Sequence, residues 1–237
     1  MRTNASTILC LCAAALLLPA IVPVQEHLTA SKDASWFKER MSYLPRTDKI
    51  VPFIPGFRTT LAAYLWIRTM LYFGEHYEKD SDFRWLVTMV DMVTKLNPHL
   101  YPAYEFAGVI LPTLGDDPDA ARIILERGLT HLGAKQYRIA FYLGWLYYDH
   151  YRDYERAADY LALAAVHEDA PGYLAALAAS SYNEAGRRAT SIRFLLRLRE
   201  SSRNPSVQRV VEHKLKELIE EKRTPERKRR DSHGRTM

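Results

Sequence analysis

The side chains of this sequence that could do chemistry are few and scattered. His167, Glu168 and Asp169 bring together an imidazole and two carboxylates, the ligand types of a metal site. Three neighbours in sequence do not converge on one ion without help from elsewhere, so they read as a helix end and turn before Pro171. Glu75, His76 and Glu78 read in the same way, as a solvated helix face. Asp116 and Asp117 lack the alternating oxygens of a calcium loop and fit a turn and a helix cap. There is no H-E-x-x-H, no G-x-G-x-x-G, no P-loop and no G-x-S-x-G, and the eight His are scattered singly. The expectation is a chain without catalytic residues, metal or cofactor.

Aromatic side chains are the sharper candidates. Seven of the fifteen Tyr lie between Tyr137 and Tyr160, with Phe141 and Trp145 among them. Aromatics at helical spacing either fill a core or present a stacking and hydrogen-bonding surface to a partner. Which role each takes depends on the helices that carry it.

Those helices recur. Pro98 sits just past an amphipathic run, Tyr104 follows it, and Gly108 comes one turn later on an apolar face; Gly144 repeats that feature 36 residues on. Ala121 and Ala157 are also 36 apart. Two helical patterns per such period are the signature of a helical repeat array.

These residues resemble tetratricopeptide repeats, helix-turn-helix units of about 34 residues. In the first unit Gly74 takes the small position of the first helix, with Tyr77, Leu86, Val90 and Pro98 following; Leu86 stands where a small residue is usual. Tyr104, Ala107 and Gly108 fill the second unit, and a long turn through Pro112, Gly115 and Pro118 shifts its second helix by one. Asp117 caps that helix, which supplies Ala121, Leu125 and Gly128. Leu143, Gly144, Tyr147, Ala157, Leu161 and Ala164 fill the third. A fourth, weaker unit has Ala178, Ala179, Tyr182, Gly186 and Leu195 and closes at Pro205. The resemblance covers about Ile67 to Pro205. It implies that Gly74, Gly108, Ala121, Gly144 and Ala157 let paired helices approach closely. It also implies a concave groove lined by Leu71 and Glu75, by Glu105 and Val109, and by Arg138, Phe141, Trp145 and Tyr148. Such a groove suits an extended peptide or a helix of a protein partner. Tyr147 belongs to the core.

Beyond the array, Asn204 and Pro205 start a helix whose Val207, Val210, Val211, Leu215, Leu218 and Ile219 recur at helical spacing, with Glu and Lys opposite: a capping helix. At the other end Tyr64 and Trp66 face the spacer or a membrane surface. The spacer, residues 25–58, carries Pro45, Pro52, Pro55 and Gly56 and packs on the array through Phe53, Ile54 and Phe57.

Residues 1–24 contain 17 consecutive apolar residues, Ile8 to Val24, behind Arg2. That is an uncleaved membrane anchor or, alternatively, a cleaved secretory signal. Cys10 and Cys12, the only two Cys, lie within it, so no disulfide framework exists elsewhere. Of the net charge of +5, the segment 221–237 contributes +4 from seven Lys/Arg against three Asp/Glu. This basic tail reads first as a disordered solvated end, with anionic lipid or an acidic partner as alternatives, and the near-neutral remainder argues against nucleic acid.

The sequence therefore predicts an all-α, right-handed superhelical solenoid of about three and a half helix pairs over residues 59–220, including the capping helix. It is read as a non-catalytic scaffold or assembly factor of a bacterial cell-envelope complex, membrane-anchored with the array in the periplasm, or secreted there after signal cleavage. An RNA-binding helical repeat is the runner-up, and an enzyme with an unrecognised site the third reading.

Overall fold

The computed structural model describes residues 56–233 apart from residue 134, with the backbone alone from 221 onward. The apolar run, Cys10, Cys12, Phe53 and Ile54 lie outside the described residues. Nine helices and no strand occur among the described residues: α1 (Arg58–Lys79), α2 (Leu86–Leu96), α3 (Tyr101–Thr113), α4 (Pro118–Leu132), α5 (Tyr137–Asp149), α6 (Tyr154–Ala165), α7 (Tyr173–Glu184), α8 (Arg188–Ser201) and α9 (Pro205–His233). None of them is long and apolar enough to cross a membrane.

Local sequence sets the helix ends. The Asp117 carboxylate accepts the Ala120 N–H at 2.9 Å and Pro118 takes the first position of α4. Asp153, 36 residues on, accepts the Arg156 N–H at 3.0 Å and starts α6 in the same way. Asn204 accepts the Ser206 N–H at 2.9 Å and starts α9 behind Pro205. Each satisfies a donor that the first turn leaves without an intrahelical partner.

Consecutive helices pack as hairpins: α1 on α2, α3 on α4, α5 on α6 and α7 on α8. Between hairpins α2 meets α4, α3 meets α5, and α7 and α8 both meet α9. The backbone repeats more regularly than the sequence. Ser81, Asp116, Arg152 and Gly186 have φ of 52°, 48°, 54° and 73°, and each lies in the turn inside one hairpin. Three of the four are not glycine, so this left-handed turn is imposed by the hairpin rather than by residue preference. Tyr101, Tyr137 and Tyr173 begin α3, α5 and α7 at 36-residue intervals.

Close approach holds each hairpin together. A Cβ on Gly144 would lie 2.7 Å from Leu161 Cγ and 3.1 Å from the Leu161 backbone nitrogen, so only glycine lets α6 come this near α5. A Cβ on Gly128 would lie 2.6 Å from the Tyr104 ring, binding α4 to α3. Tyr104 itself is fully buried; its hydroxyl donates to the Pro98 carbonyl at 3.1 Å, and burial pushes its pKa up to about 12. Ala121, Ala157 and Ser191 occupy the matching site on the second helices, all fully buried, and the Ser191 hydroxyl donates to the Ala179 carbonyl at 2.8 Å.

Four expectations change. Gly74 does not pack: nothing lies within 4 Å of where its Cβ would be. Tyr77 is 61% exposed rather than core. Both follow from a hairpin-to-hairpin offset of 35 residues at this end, as in Ser81 to Asp116 and Leu86 to Ala121. A slip of one residue turns a helix face by about 100°. The 35-residue offset from Gly108 lands on Phe73, whose ring meets Phe83 at 5.7 Å and Phe106 at 5.2 Å. Phe57, expected against the array, is exposed. Finally, the backbone of the basic tail continues α9 as helix to His233; Lys, Arg and Glu lose little rotamer freedom in a helix.

Two glycines, on the first and third hairpins, should therefore behave oppositely. Gly144→Val is expected to lower stability by about 1–3 kcal/mol through overpacking on α6. Gly74→Ala should raise it by about 1 kcal/mol, because it removes a mid-helix glycine and meets nothing. Denaturant midpoints measure both, and similar destabilisation by the two changes would refute this packing.

A candidate docking pocket between the first helices

Gly108 serves a different contact from Gly144. Its missing Cβ would fall 2.8 Å from the ring of Tyr142, so the gap on α3 receives a side chain from the next hairpin's α5. Seated there, Tyr142 donates from its hydroxyl to Glu105 at 3.0 Å, and Arg138 donates to the same carboxylate oxygen at 2.8 Å. Burial first, then the hydrogen bond to Glu105 and its charge, raise the pKa of Tyr142 well above the usual tyrosine range. Tyr101, at the start of α3, is raised by burial and by the same charge.

Beside this cluster α3 and α5 part to leave a pocket of about 260 Å³. Its walls include Val109, Pro112 and Thr113 from α3 and Phe141, Trp145 and Asp149 from α5. That volume is below the roughly 300–1,000 Å³ of small-molecule cavities and suits a side chain or two inserted from outside. Trp145 is 45% exposed and stacks on Tyr148, with ring centres 5.9 Å apart and planes at 23°. Tyr148 in turn donates to Glu184 of α7 at 3.3 Å. Phe141 is half-buried against the cluster that includes Ala140 and Ala175.

The predicted row is thus divided. Val109, Phe141 and Trp145 meet in the pocket; Glu105 and Arg138 are engaged with each other at its edge; Tyr148 braces Trp145 and reaches α7. Leu71 and Glu75 do not line it: Leu71 lies on the exposed face of α1, and Glu75 binds Lys79 on its own helix at 2.8 Å. Tyr142, Pro112, Thr113, Leu146, Asp149 and His150 line the pocket but were not foreseen. The signal for Tyr142 was the glycine 34 residues before it, whose gap it fills. Among the described residues the Asp149 carboxylate, at the pocket's far end, has long contacts of 3.9 Å to His150 and 3.9 Å to Arg152.

Nothing among the described residues groups three or more His, Cys, Asp or Glu around a common point. His167 accepts the Asp169 N–H at 3.3 Å and stands beside Tyr137. No protein-family model, no curated protein and no solved structure matches this chain.

The raised tyrosines give a signed pH dependence. An unfolded chain releases these protons near pH 10, whereas the folded chain holds them longer, at Tyr104 to about 12. Their stabilising contribution is complete below pH 10 and falls as pH rises through the folded values. Denaturation midpoints should decline steadily from about pH 10. Glu105→Gln should let Tyr142 ionise at lower pH, read as tyrosinate absorbance. An unshifted titration would show that the carboxylate does not act on Tyr142.

Proposed function

We propose that this chain is a tetratricopeptide-like, right-handed superhelical array that works without catalysis, as a scaffold or assembly factor of a bacterial cell-envelope complex. One observation carries the reading: the pocket in which Val109, Phe141 and Trp145 of consecutive hairpins meet, open to solvent and mostly apolar, with Thr113 and Asp149 among its polar members. An exposed Trp over an apolar pocket is the kind of anchor that dominates protein interfaces. The partner is a protein segment, extended or helical, that places an apolar side chain in the pocket and a cationic one near Asp149. The recurring left-handed turns and the 36-residue spacing of the first helices support the superhelical arrangement. The 17-residue apolar run supports a membrane anchor with the array in the periplasm.

A photo-crosslinking residue replacing Thr113, which lines the pocket, tests this against one replacing Ile123, which is exposed on α4. In membranes of the native host the Thr113 probe should trap a protein and the Ile123 probe should not. Adding Phe141→Ala with Trp145→Ala should weaken capture roughly tenfold or more, as loss of a buried anchor does, while the circular dichroism spectrum stays helical. Equal capture by both chains would defeat the groove reading, and a trapped RNA in place of a protein would revive the nucleic-acid reading.

A further inference from the structure

The pocket leaves one large apolar surface unused, and it lies on α1. Phe57, directly before α1, and Tyr64, Ile67 and Leu71 along it are 71%, 57%, 59% and 62% exposed. At 100° per residue they fall on one stripe about 20 Å long. The opposite stripe, Ala62, Leu65, Thr69 and Tyr72, is buried and faces α2. Elsewhere among the described residues, exposed large apolar side chains are spread thinly over the other helices, with Ile123 alone on α4 and Ile219 alone on α9.

Charge says what can cover this stripe. From Lys49 to Gly74 the sequence has no Asp or Glu, and its charges are Lys49, Arg58 and Arg68; Glu75 and Glu78 come only where the stripe ends. Arg58 donates to the Lys95 carbonyl of α2 at 3.3 Å, away from the stripe. What remains is an apolar aromatic face without acidic residues on a helix too low in hydropathy to span, the form that lies in the plane of a membrane interface. Tyr64 suits that depth, with its ring apolar at one end and its hydroxyl wet, and Phe57, Ile67 and Leu71 suit the apolar face of such a helix. A second copy fits less well. One helix stripe of that length projects on the order of 200 Å², against the roughly 800 Å² that each partner of a stable complex buries.

We infer that the Phe57–Tyr64–Ile67–Leu71 face of α1 lies on a lipid bilayer surface, parallel to it, as a second membrane contact of the array. The inference rests on reading the 17-residue run Ile8 to Val24 as a membrane segment. The interface holds α1 while the pocket between α3 and α5 remains available to its partner.

The full chain, with Cys10→Ala and Cys12→Ala, is incorporated in vesicles of phosphatidylethanolamine and phosphatidylglycerol. Single nitroxide labels are placed by Tyr64→Cys, Leu71→Cys or, for reference, Ile123→Cys. Flotation reports whether the chain is membrane-bound; collision with oxygen against a water-soluble nickel chelate reports where each label lies. The expected result is several-fold less nickel access and more oxygen access at positions 64 and 71 than at 123. Ile67→Glu with Leu71→Glu should return the position-64 label to water while the chain still floats. If the chain floats but all three labels are equally open to nickel, the α1 contact is wrong and the anchor stands. If the chain does not float, the membrane reading and this inference fall together. Labels at 64 and 71 shielded before lipid is added also overturn it: shielding independent of protein concentration identifies another segment of this chain as the cover, and shielding that grows with concentration identifies a second copy.

Discussion

The fold depends on how closely two helices can approach when a side chain is missing between them. Gly144 lets the backbone of α6 come within contact of α5, and Gly128 lets the Tyr104 ring lie flat on α4. Interiors are packed to crystal-like density, so such gaps are filled to within a few tenths of an ångström and cannot be widened at little cost. Gly108 uses the same device between hairpins, admitting Tyr142 and thereby setting the separation of α3 from α5. The pocket beside Phe141 and Trp145 is what remains of that separation, and Gly108 itself forms part of its wall.

Around this steric frame runs a set of polar contacts with nearly the period of the repeat. Arg127 of α4 reaches back to Asp91 and Thr94 of α2, at 2.8 Å each. Tyr151 donates to Asp119 at 2.7 Å, and Arg187 donates to Glu155; both members of the second pair lie 36 residues after those of the first. Glu105 holds Arg138 and Tyr142 on the pocket side. Exposed ion pairs of this kind contribute little individually, so their part is to hold the register between hairpins, and the buried apolar residues supply the stability. The tyrosines among them are polar at one end and apolar along the ring. That lets this chain use them both as core and as bridge, and it explains why so many have raised pKa values.

The ends of the array differ in what they leave open. At the C-terminal side α9 lays Val207, Val211, Leu215 and Leu218 over α7 and α8 and turns charge outward, closing the core. At the N-terminal side α1 buries one stripe on α2 and leaves an apolar one uncovered. A repeat array needs both terminal faces shielded from water; among the described residues α9 does this at one end, and the α1 stripe stays exposed at the other.

Much of this was legible from the residues alone. Asp117 and Asn204 act on backbone donors two or three residues away, so their capping roles follow from local spacing. The small residues at Ala121, Gly144 and Ala157 follow from a period long enough to be counted, whereas Gly108, expected to serve its own hairpin, admits Tyr142 of the next; Tyr147 in the core with Trp145 partly outside follows from one face of one helix. The rotation of α1 was not legible. Its hairpin is offset by 35 residues rather than 34, a difference that only contacts with α2 and α3 decide, and it moves Gly74 and Tyr77 to the surface and Phe73 to the contact. The pocket was not legible as a pocket either. Sequence spacing orders residues along one helix, whereas Tyr142 in the gap of Gly108 and Asp149 at the far end belong to the space between two helices, which forms only when both are packed.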